Sequence, residues 1–256
     1  MESLQDRTVW VTGASSGIGQ ACAGLFAAEG CRLLVVARRR ERLETLQNEW
    51  TQLGAPEVRI ESLDVRDPEG VQARLGSLPA AWATPEVLIN NAGLSRGLAG
   101  LQDGEIRDWE EMIDTNVKGL LYVDRVAAPK MVAAGRGTIV HIGSIAGRQV
   151  YPGGNVYCAS KYAVRAITDG LRIDLLGSGV RVTSVDPGLV ETEFSEVRFR
   201  GDLEKAKKVY DGLQVLTAED VAEVVLFAAT RPPHVVLAES LVLPLCQAAA
   251  THIHRE

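Results

Sequence analysis

Apolar positions in this chain fall into two alternating kinds of run. Short stretches that are almost wholly apolar, such as Leu33-Leu34-Val35-Val36, are separated by longer ones in which apolar and polar residues recur at helical spacing. A continuous apolar run of that length marks a strand covered on both faces, and such strands alternating with amphipathic helices make βαβ units and a parallel sheet. Strands are predicted at 8–12, 32–37, 58–63, 87–90, 138–142, 180–185 and 241–243, and helices at 17–29, 39–53, 108–132, 156–176 and 218–229. Gly54 and Pro56 close the second helix, and Gly177-Ser178-Gly179 turns the chain before the sixth strand. Residues 191–211 are polar and irregular, which predicts a mobile lid or substrate loop within 189–215. No repeat or linker divides residues 1–256, so one domain is expected.

Composition narrows the classes of function. At 256 residues, 46% hydrophobic and 23% charged, the chain has the make-up of one large globular α/β domain. A net charge of −6 gives no reason to expect nucleic acid, and Arg38-Arg39-Arg40-Glu41-Arg42 is too short for a basic arm. Cys22, Cys31, Cys158 and Cys246 form no CxxC pair and no metal-ligand spacing with histidine, so four free thiols and no metal site are expected. The first residues lack a basic and then apolar leader, and no run is long enough to span a bilayer. The expectation is a cytoplasmic protein without membrane partners.

Chemistry enters between the first strand and first helix, at Thr12-Gly13-Ala14-Ser15-Ser16-Gly17-Ile18-Gly19. Glycines there permit a sharp turn and let backbone N–H groups approach a pyrophosphate, which the helix N-terminus also attracts. The spacing is G-x-x-x-G-x-G. A glycine triplet alone is most often only a turn; its place in a strand–loop–helix unit makes it a dinucleotide cradle. The second strand ends in Ala37-Arg38-Arg39 where an acidic residue would bind the adenosine ribose and repel a 2′-phosphate. Guanidinium groups bind phosphate as bidentate donors, so Arg38 and Arg39 are candidates for the 2′-phosphate of NADP; otherwise they are a solvated helix start.

A second cluster is Val156-Tyr157-Cys158-Ala159-Ser160-Lys161, with tyrosine and lysine four apart at the start of a helix. That spacing puts them on one face, where an ammonium would favour phenolate and bring the tyrosine toward the working range of an acid/base. Alone the pair would be a surface feature. Ser144, however, ends the fifth strand at the edge where open parallel sheets present ligand-binding residues, and its hydroxyl is placed to hold a substrate oxygen. Asn116 sits with Gly119 inside a helical run, which predicts a kink with an exposed carbonyl, or else a tolerated surface asparagine. No histidine stands at a motif position and there is no nucleophile elbow, which excludes a serine hydrolase.

Together these segments resemble the short-chain dehydrogenase/reductase family over essentially the whole chain. The motifs are the glycine loop at 13–19, Asn90-Asn91-Ala92-Gly93, the set Asn116, Ser144, Tyr157 and Lys161, and Pro187-Gly188. The resemblance implies a Rossmann-type doubly wound sheet of seven parallel strands and a homotetramer. It implies catalysis by Asn116, Ser144, Tyr157 and Lys161, with Lys161 on the nicotinamide ribose and Asn116 holding a water in a proton relay. It further implies that Asp64 and Val65 contact adenine, that Asn91, Ala92 and Gly93 lie beside the ribose, and that Pro187, Gly188, Val190 and Thr192 surround the nicotinamide amide. The pieces Arg39-Arg40-Glu41-Arg42-Leu43, Gly153-Gly154-Asn155-Val156-Tyr157 and Thr192-Glu193-Phe194-Ser195 are similar to the NADP-dependent serine and 3-hydroxy acid dehydrogenases within that family. The single Glu191 between Val190 and Thr192 departs from that subgroup's glycine-rich pattern.

The activity expected is NADP(H)-dependent oxidation of an alcohol, foremost a 3-hydroxy acid. Substrate would sit on Ser144 and Tyr157, with Arg198 pairing its carboxylate or else standing as a solvated arginine. The alternatives are reduction of bulkier ketones or 3-oxoacyl groups, and a non-enzymatic NADP sensor. The four filled catalytic positions oppose the sensor.

Overall fold

The computed structural model describes residues 3–255. In chain order the elements are β1 (Thr8–Thr12), α1 (Gly17–Ala28), β2 (Arg32–Ala37), α2 (Arg40–Leu53), β3 (Val58–Ser62), α3 (Pro68–Gly76), α4 (Ala80–Ala83) and β4 (Val87–Asn90). Then come α5 (Ile106–Ile113), a π turn (Asp114–Gly119), α6 (Leu120–Ala134), β5 (Gly137–Ile142), α7 (Asn155–Asp174) and β6 (Val180–Pro187). The last are α8 (Phe194–Arg198), α9 (Leu203–Lys208), α10 (Ala218–Ala229), β7 (Glu239–Val242) and a small pair, β8 (Gln247–Ala249) with β9 (His252–Ile253).

Seven strands form one sheet in the order β3-β2-β1-β4-β5-β6-β7, with every neighbour parallel. The chain builds outward from β1 to β3, then returns to lay β4 against the other side of β1. That reversal opens a crevice at the carboxyl ends of β1 and β4, the place where a doubly wound sheet receives a ligand. The continuous apolar runs are explained by burial on both faces: every residue of β1 and β4 is buried, and all but the first of β2 and β5. Side-chain alternation divides them into two cores. Val9, Val11, Leu33 and Val35 pack with Phe26 of α1, Trp50 of α2 and Val225 of α10. Trp10, Leu34, Leu88 and Ile139 pack with Leu75 of α3 and Val123 and Met131 of α6 on the opposite face.

The long helix expected at 108–132 is interrupted. Its α-helical hydrogen bonding gives way to the π turn over Asp114–Gly119, so the irregularity expected at Asn116 is present as one widened turn. Two helices were not legible as apolar periodicity, since α3 buries only Val71 and Leu75 and α4 only Trp82. The segment expected to be irregular contains the short helices α8 and α9, and the stretch beyond β7 turns back as a hairpin. The four cysteines are free, as expected. No helix among the described residues is long and apolar enough to cross a membrane.

A buried polar network ties the two halves of the sheet together beneath the crevice. Asn90 of β4 donates from Nδ2 to Asp124 Oδ1 of α6 (3.2 Å) and to the Leu120 carbonyl (3.0 Å), while its Oδ1 accepts from Thr12 of β1 (3.2 Å). His141 of β5 places Nε2 3.0 Å from Asp124 Oδ2 and Nδ1 2.8 Å from Thr168 of α7. All these side chains are buried, so removing one leaves its partners without water to replace it. Asp124→Ala is expected to cost about 2–4 kcal/mol, seen as a lower urea midpoint at unchanged slope; an unchanged midpoint would show that the network contributes nothing.

Candidate active site

The glycine loop turns because Gly13 (φ +67°) and Gly17 (φ +54°) adopt backbone angles that other residues avoid. A Cβ on Gly13 would lie 2.8 Å from Asn91 Nδ2 and 3.0 Å from Ala92 Cα, so the loop also needs glycine to sit against the turn after β4. That contact is fixed by hydrogen bonds. Thr12 Oγ1 accepts from the Asn91 and Ala92 amides (2.9 and 3.0 Å), and Asn91 Nδ2 donates to the Thr12 carbonyl (2.9 Å).

Above this floor lies a cavity of about 590 Å³. Gly13, Ser15, Ser16, Gly17 and Ile18 form its base; Arg38 and Arg39, Asp64 and Val65 line one end, and Asn91, Ala92 and Gly93 the middle. Pro187, Gly188, Val190 and Thr192 also line it, as do Ser144, Tyr157, Lys161 and Arg198. Of the residues expected at the site, Gly19 and Asn116 do not line it. Gly19 lies beneath, where a Cβ would strike the Asn91 amide and the Gly13 carbonyl. Asn116 is buried behind Leu94: its Oδ1 accepts from the Leu94 amide, and its Nδ2 donates to the Leu94 carbonyl (both 2.8 Å) and to Ser160 Oγ (3.0 Å).

Electrostatically the cavity has two ends. At the first, Arg39 donates from Nη2 to Ser16 Oγ (2.7 Å) and from Nε to Ser15 Oγ (3.2 Å), and its Nη1 meets Glu193 across the opening (2.8 Å). Asp64 is paired with Arg66 (2.6 Å); burial pushes its carboxyl up, but the hydrogen bonds from Arg66 outweigh this and hold it below the ordinary carboxylate range.

The second end holds Tyr157 and Lys161, both buried on α7. Burial pushes the Tyr157 phenol well above its ordinary value, Tyr151 adding to the rise while Arg198 and a hydrogen bond with Ser144 oppose it. The cation against the phenol ring is Arg198, 5.5 Å from the ring centroid; it also lies 5.1 Å from that of Phe194. Lys161 Nζ donates to the Ile142 carbonyl at the end of β5 (2.8 Å), and burial lowers its pKa to about 8, opposed by the charge of Asp186. Asp186, buried at the end of β6, is held by Arg148 through Nε (3.0 Å) and Nη2 (2.7 Å).

Several lining residues were not legible beforehand. Tyr151 and Phe194 belong to an apolar cluster around Tyr157 that includes Leu94, Met112 and Val197. The C-terminal hairpin brings Gln247, Ala250, Ile253 and Arg255 to the cavity, with Gln247 Oε1 accepting from the Leu189 amide (2.9 Å). Its alanines offer no strand alternation by which to predict it. Asp186, by contrast, directly precedes the Pro187-Gly188 motif, and that position at the carboxyl end of a strand was a usable signal.

Comparison with known proteins agrees with this geometry. The family model for short chain dehydrogenases matches residues 7–202, and the chain belongs to that family. An NADP-dependent 3-hydroxy acid dehydrogenase of Salmonella typhi is 46% identical over 249 residues, spanning 96% of this chain and 99% of that protein. A sulfoacetaldehyde reductase of Chromohalobacter salexigens is 46% identical over 241 residues, 94% of each chain. Among solved structures, the closed form of a serine dehydrogenase complexed with NADP+ superposes with a TM-score of 0.91 at 44% identity, covering 97% of this chain and 100% of the other.

The Asp186 carboxylate stabilises the Lys161 ammonium. Asp186→Asn is therefore expected to lower the lysine pKa further below about 8, so that its positive charge is lost at lower pH as pH rises. The alkaline limb of the pH–rate profile should move down by roughly one unit; a limb that stays in place would show that Asp186 does not act on Lys161.

Proposed function

We propose that this chain is an NADP(H)-dependent oxidoreductase that interconverts a 3-hydroxy acid and its carbonyl counterpart. The observation that carries this reading is Arg198. Its Nε is buried without a hydrogen-bond partner among the described residues, its Nη2 donates to Tyr151 (3.2 Å), and its guanidinium lies against the Tyr157 ring. An unsatisfied cationic donor beside the acid/base phenol calls for an anionic group on the substrate. Sulfonate and carboxylate both meet that need, and the named activities of the relatives fall within this class.

The cavity fits NADP. Its glycine floor has no room for side chains at Gly13, and a pair of arginines rather than a carboxylate follows β2. Backbone amides of the glycine loop would face the pyrophosphate, and Arg38 and Arg39 the 2′-phosphate. Asp64 and Val65 would hold adenine, Asn91 to Gly93 the ribose side, and Pro187, Gly188, Val190 and Thr192 the nicotinamide amide. When bound, the cofactor accepts or supplies the hydride.

The chain's own residues control the rest. Ser144 holds the substrate oxygen while Tyr157 takes the hydroxyl proton during oxidation and returns it during reduction. Burial alone makes that phenol a poor base, so the cationic surroundings from Arg198, and from Lys161 once it leaves Ile142 for the ribose, are what favour phenolate. Asn116 acts from behind: its main-chain carbonyl, set in the π turn, would hold the relay water. The segment 189–215 serves as the lid, with Phe194 and Val197 excluding water from the phenol.

We also propose a homotetramer working in the cytoplasm. Exposed Leu121 and Val132 on α6, and Tyr162 and Ile173 on α7, supply faces for subunit contact.

Absorbance at 340 nm tests the proposal, with NADP+ or NAD+ against L-serine, 3-hydroxypropionate and cyclohexanol. Turnover is expected with NADP+ and the hydroxy acids, falling about 10²–10⁴-fold in Tyr157→Phe; activity with cyclohexanol alone would overturn the substrate class. Arg198→Ala should raise KM for the acids about tenfold or more relative to a neutral alcohol. An unchanged ratio would remove Arg198 from substrate binding.

A further inference from the structure

The sequence singled out Arg39 for a phosphate, yet the structure gives it an internal anion. Glu193 stands between Thr192 and Phe194 on the lid segment, 154 residues from Arg39 in sequence, and reaches across the cavity mouth. Its Oε2 lies 2.8 Å from Arg39 Nη1, and its Oε1 contacts Arg42 Nη1. Each carboxylate oxygen thus meets a different guanidinium. Two oxygens of a phosphate would engage the same pair in that manner.

The remaining donors of Arg39 are also occupied. Nε faces Ser15 Oγ and Nη2 faces Ser16 Oγ, so the guanidinium is laid over the glycine loop with Glu193 completing its shell. Arg38 makes no ion pair among the described residues. A phosphate arriving at this end would find Arg38 in no ion pair, though its charge acts on Asp64 and Glu111, whereas at Arg39 it would meet a carboxylate already in place. Two anions cannot share one guanidinium face without mutual repulsion, so one must leave.

We infer that Glu193 is a lid-borne competitor for the 2′-phosphate seat: it bridges Arg39 and Arg42 until the phosphate of the cofactor displaces it. Seating the cofactor and releasing this lid strap are then one exchange, and Glu193 sets how strongly the 2′-phosphate is bound. The segment released also carries Phe194 and Arg198, which places the substrate's anion site under the same exchange. This inference rests on the NADP assignment above and extends it to a residue that does not itself bind the cofactor. Arg39 and Glu193 are both partly exposed (side chains 42% and 32%), so the effect is that of a solvent-screened pair.

The test uses calorimetric titration of the full chain, wild type and Glu193→Gln, with 2′,5′-ADP and 5′-AMP, and needs no turnover. Glu193→Gln keeps the shape of the side chain and removes its charge. It is expected to bind 2′,5′-ADP about threefold more tightly than wild type, with 5′-AMP unchanged. Equal or weaker binding of 2′,5′-ADP by the variant overturns the inference, as does the same gain for 5′-AMP. A wild-type protein that binds the two nucleotides equally overturns the cofactor assignment itself. NADPH and NADH, followed by fluorescence on the same two proteins, should repeat the pattern of the phosphate-bearing and phosphate-free ligands.

Discussion

The site is organised around a lysine ammonium that the fold removes from water. Lys161 is 7% exposed, and one backbone carbonyl, that of Ile142, accepts a hydrogen bond from it. An isolated charge in such a place is costly, so compensation must come from what surrounds it. Asp186 supplies the opposing charge from the neighbouring strand, Arg148 holds Asp186, and Glu239 receives Arg148 and Arg165 at the surface. This line of alternating charge runs from solvent to the cavity. It depends on β5 and β6 being adjacent and parallel, which brings the ends of both strands to the same edge.

The same edge explains why the sheet's winding order matters for chemistry. Because β4 returns beside β1, the turn after β4 can lock against the glycine loop through Thr12 and Asn91. The buried Asn90–Asp124–His141 network then fixes that junction to α6 and β5. The glycine loop and α7 are therefore joined through one buried hydrogen-bond network. Residues 189–215, proposed above as the lid, and the C-terminal hairpin line the same cavity and form its roof.

Much of the floor was legible in the sequence, as was the place of the 189–215 segment with Val190, Thr192 and Arg198 at the cavity; the short helices of that segment and the C-terminal hairpin were not. The central strands β1, β2, β4 and β5 announce themselves by near-continuous apolar runs; β3, β6 and β7 were anticipated too, although polar residues interrupt them, with β7 beginning at Glu239 rather than Leu241. Glycines at positive φ and the kink at Asn116 were readable because backbone geometry restricts which residue can stand there. The helix α3 was missed although Asp67 and Pro68 carry a capping signal, because its apolar face is only two residues wide. The hairpin of β8 and β9 carries no alternation at all. Contacts of long side chains were also hidden: four-residue spacing put Lys161 and Tyr157 on one helix, but did not show the hydrogen bond from the ammonium to Ile142 or the guanidinium of Arg198 against the phenol ring. Glu193 gave no local sign, since its partners lie about 150 residues away in sequence.

The measurement that bears most directly on this account is the crystal structure of the unreactive complex with NADPH and 3-hydroxypropionate. The account predicts the hydroxyl within about 3 Å of both the Ser144 and Tyr157 oxygens, with the carboxylate on Arg198 and the Lys161 ammonium on the cofactor ribose. A carboxylate bound instead at Arg255 or Arg38, with the hydroxyl out of reach of Tyr157, would contradict it.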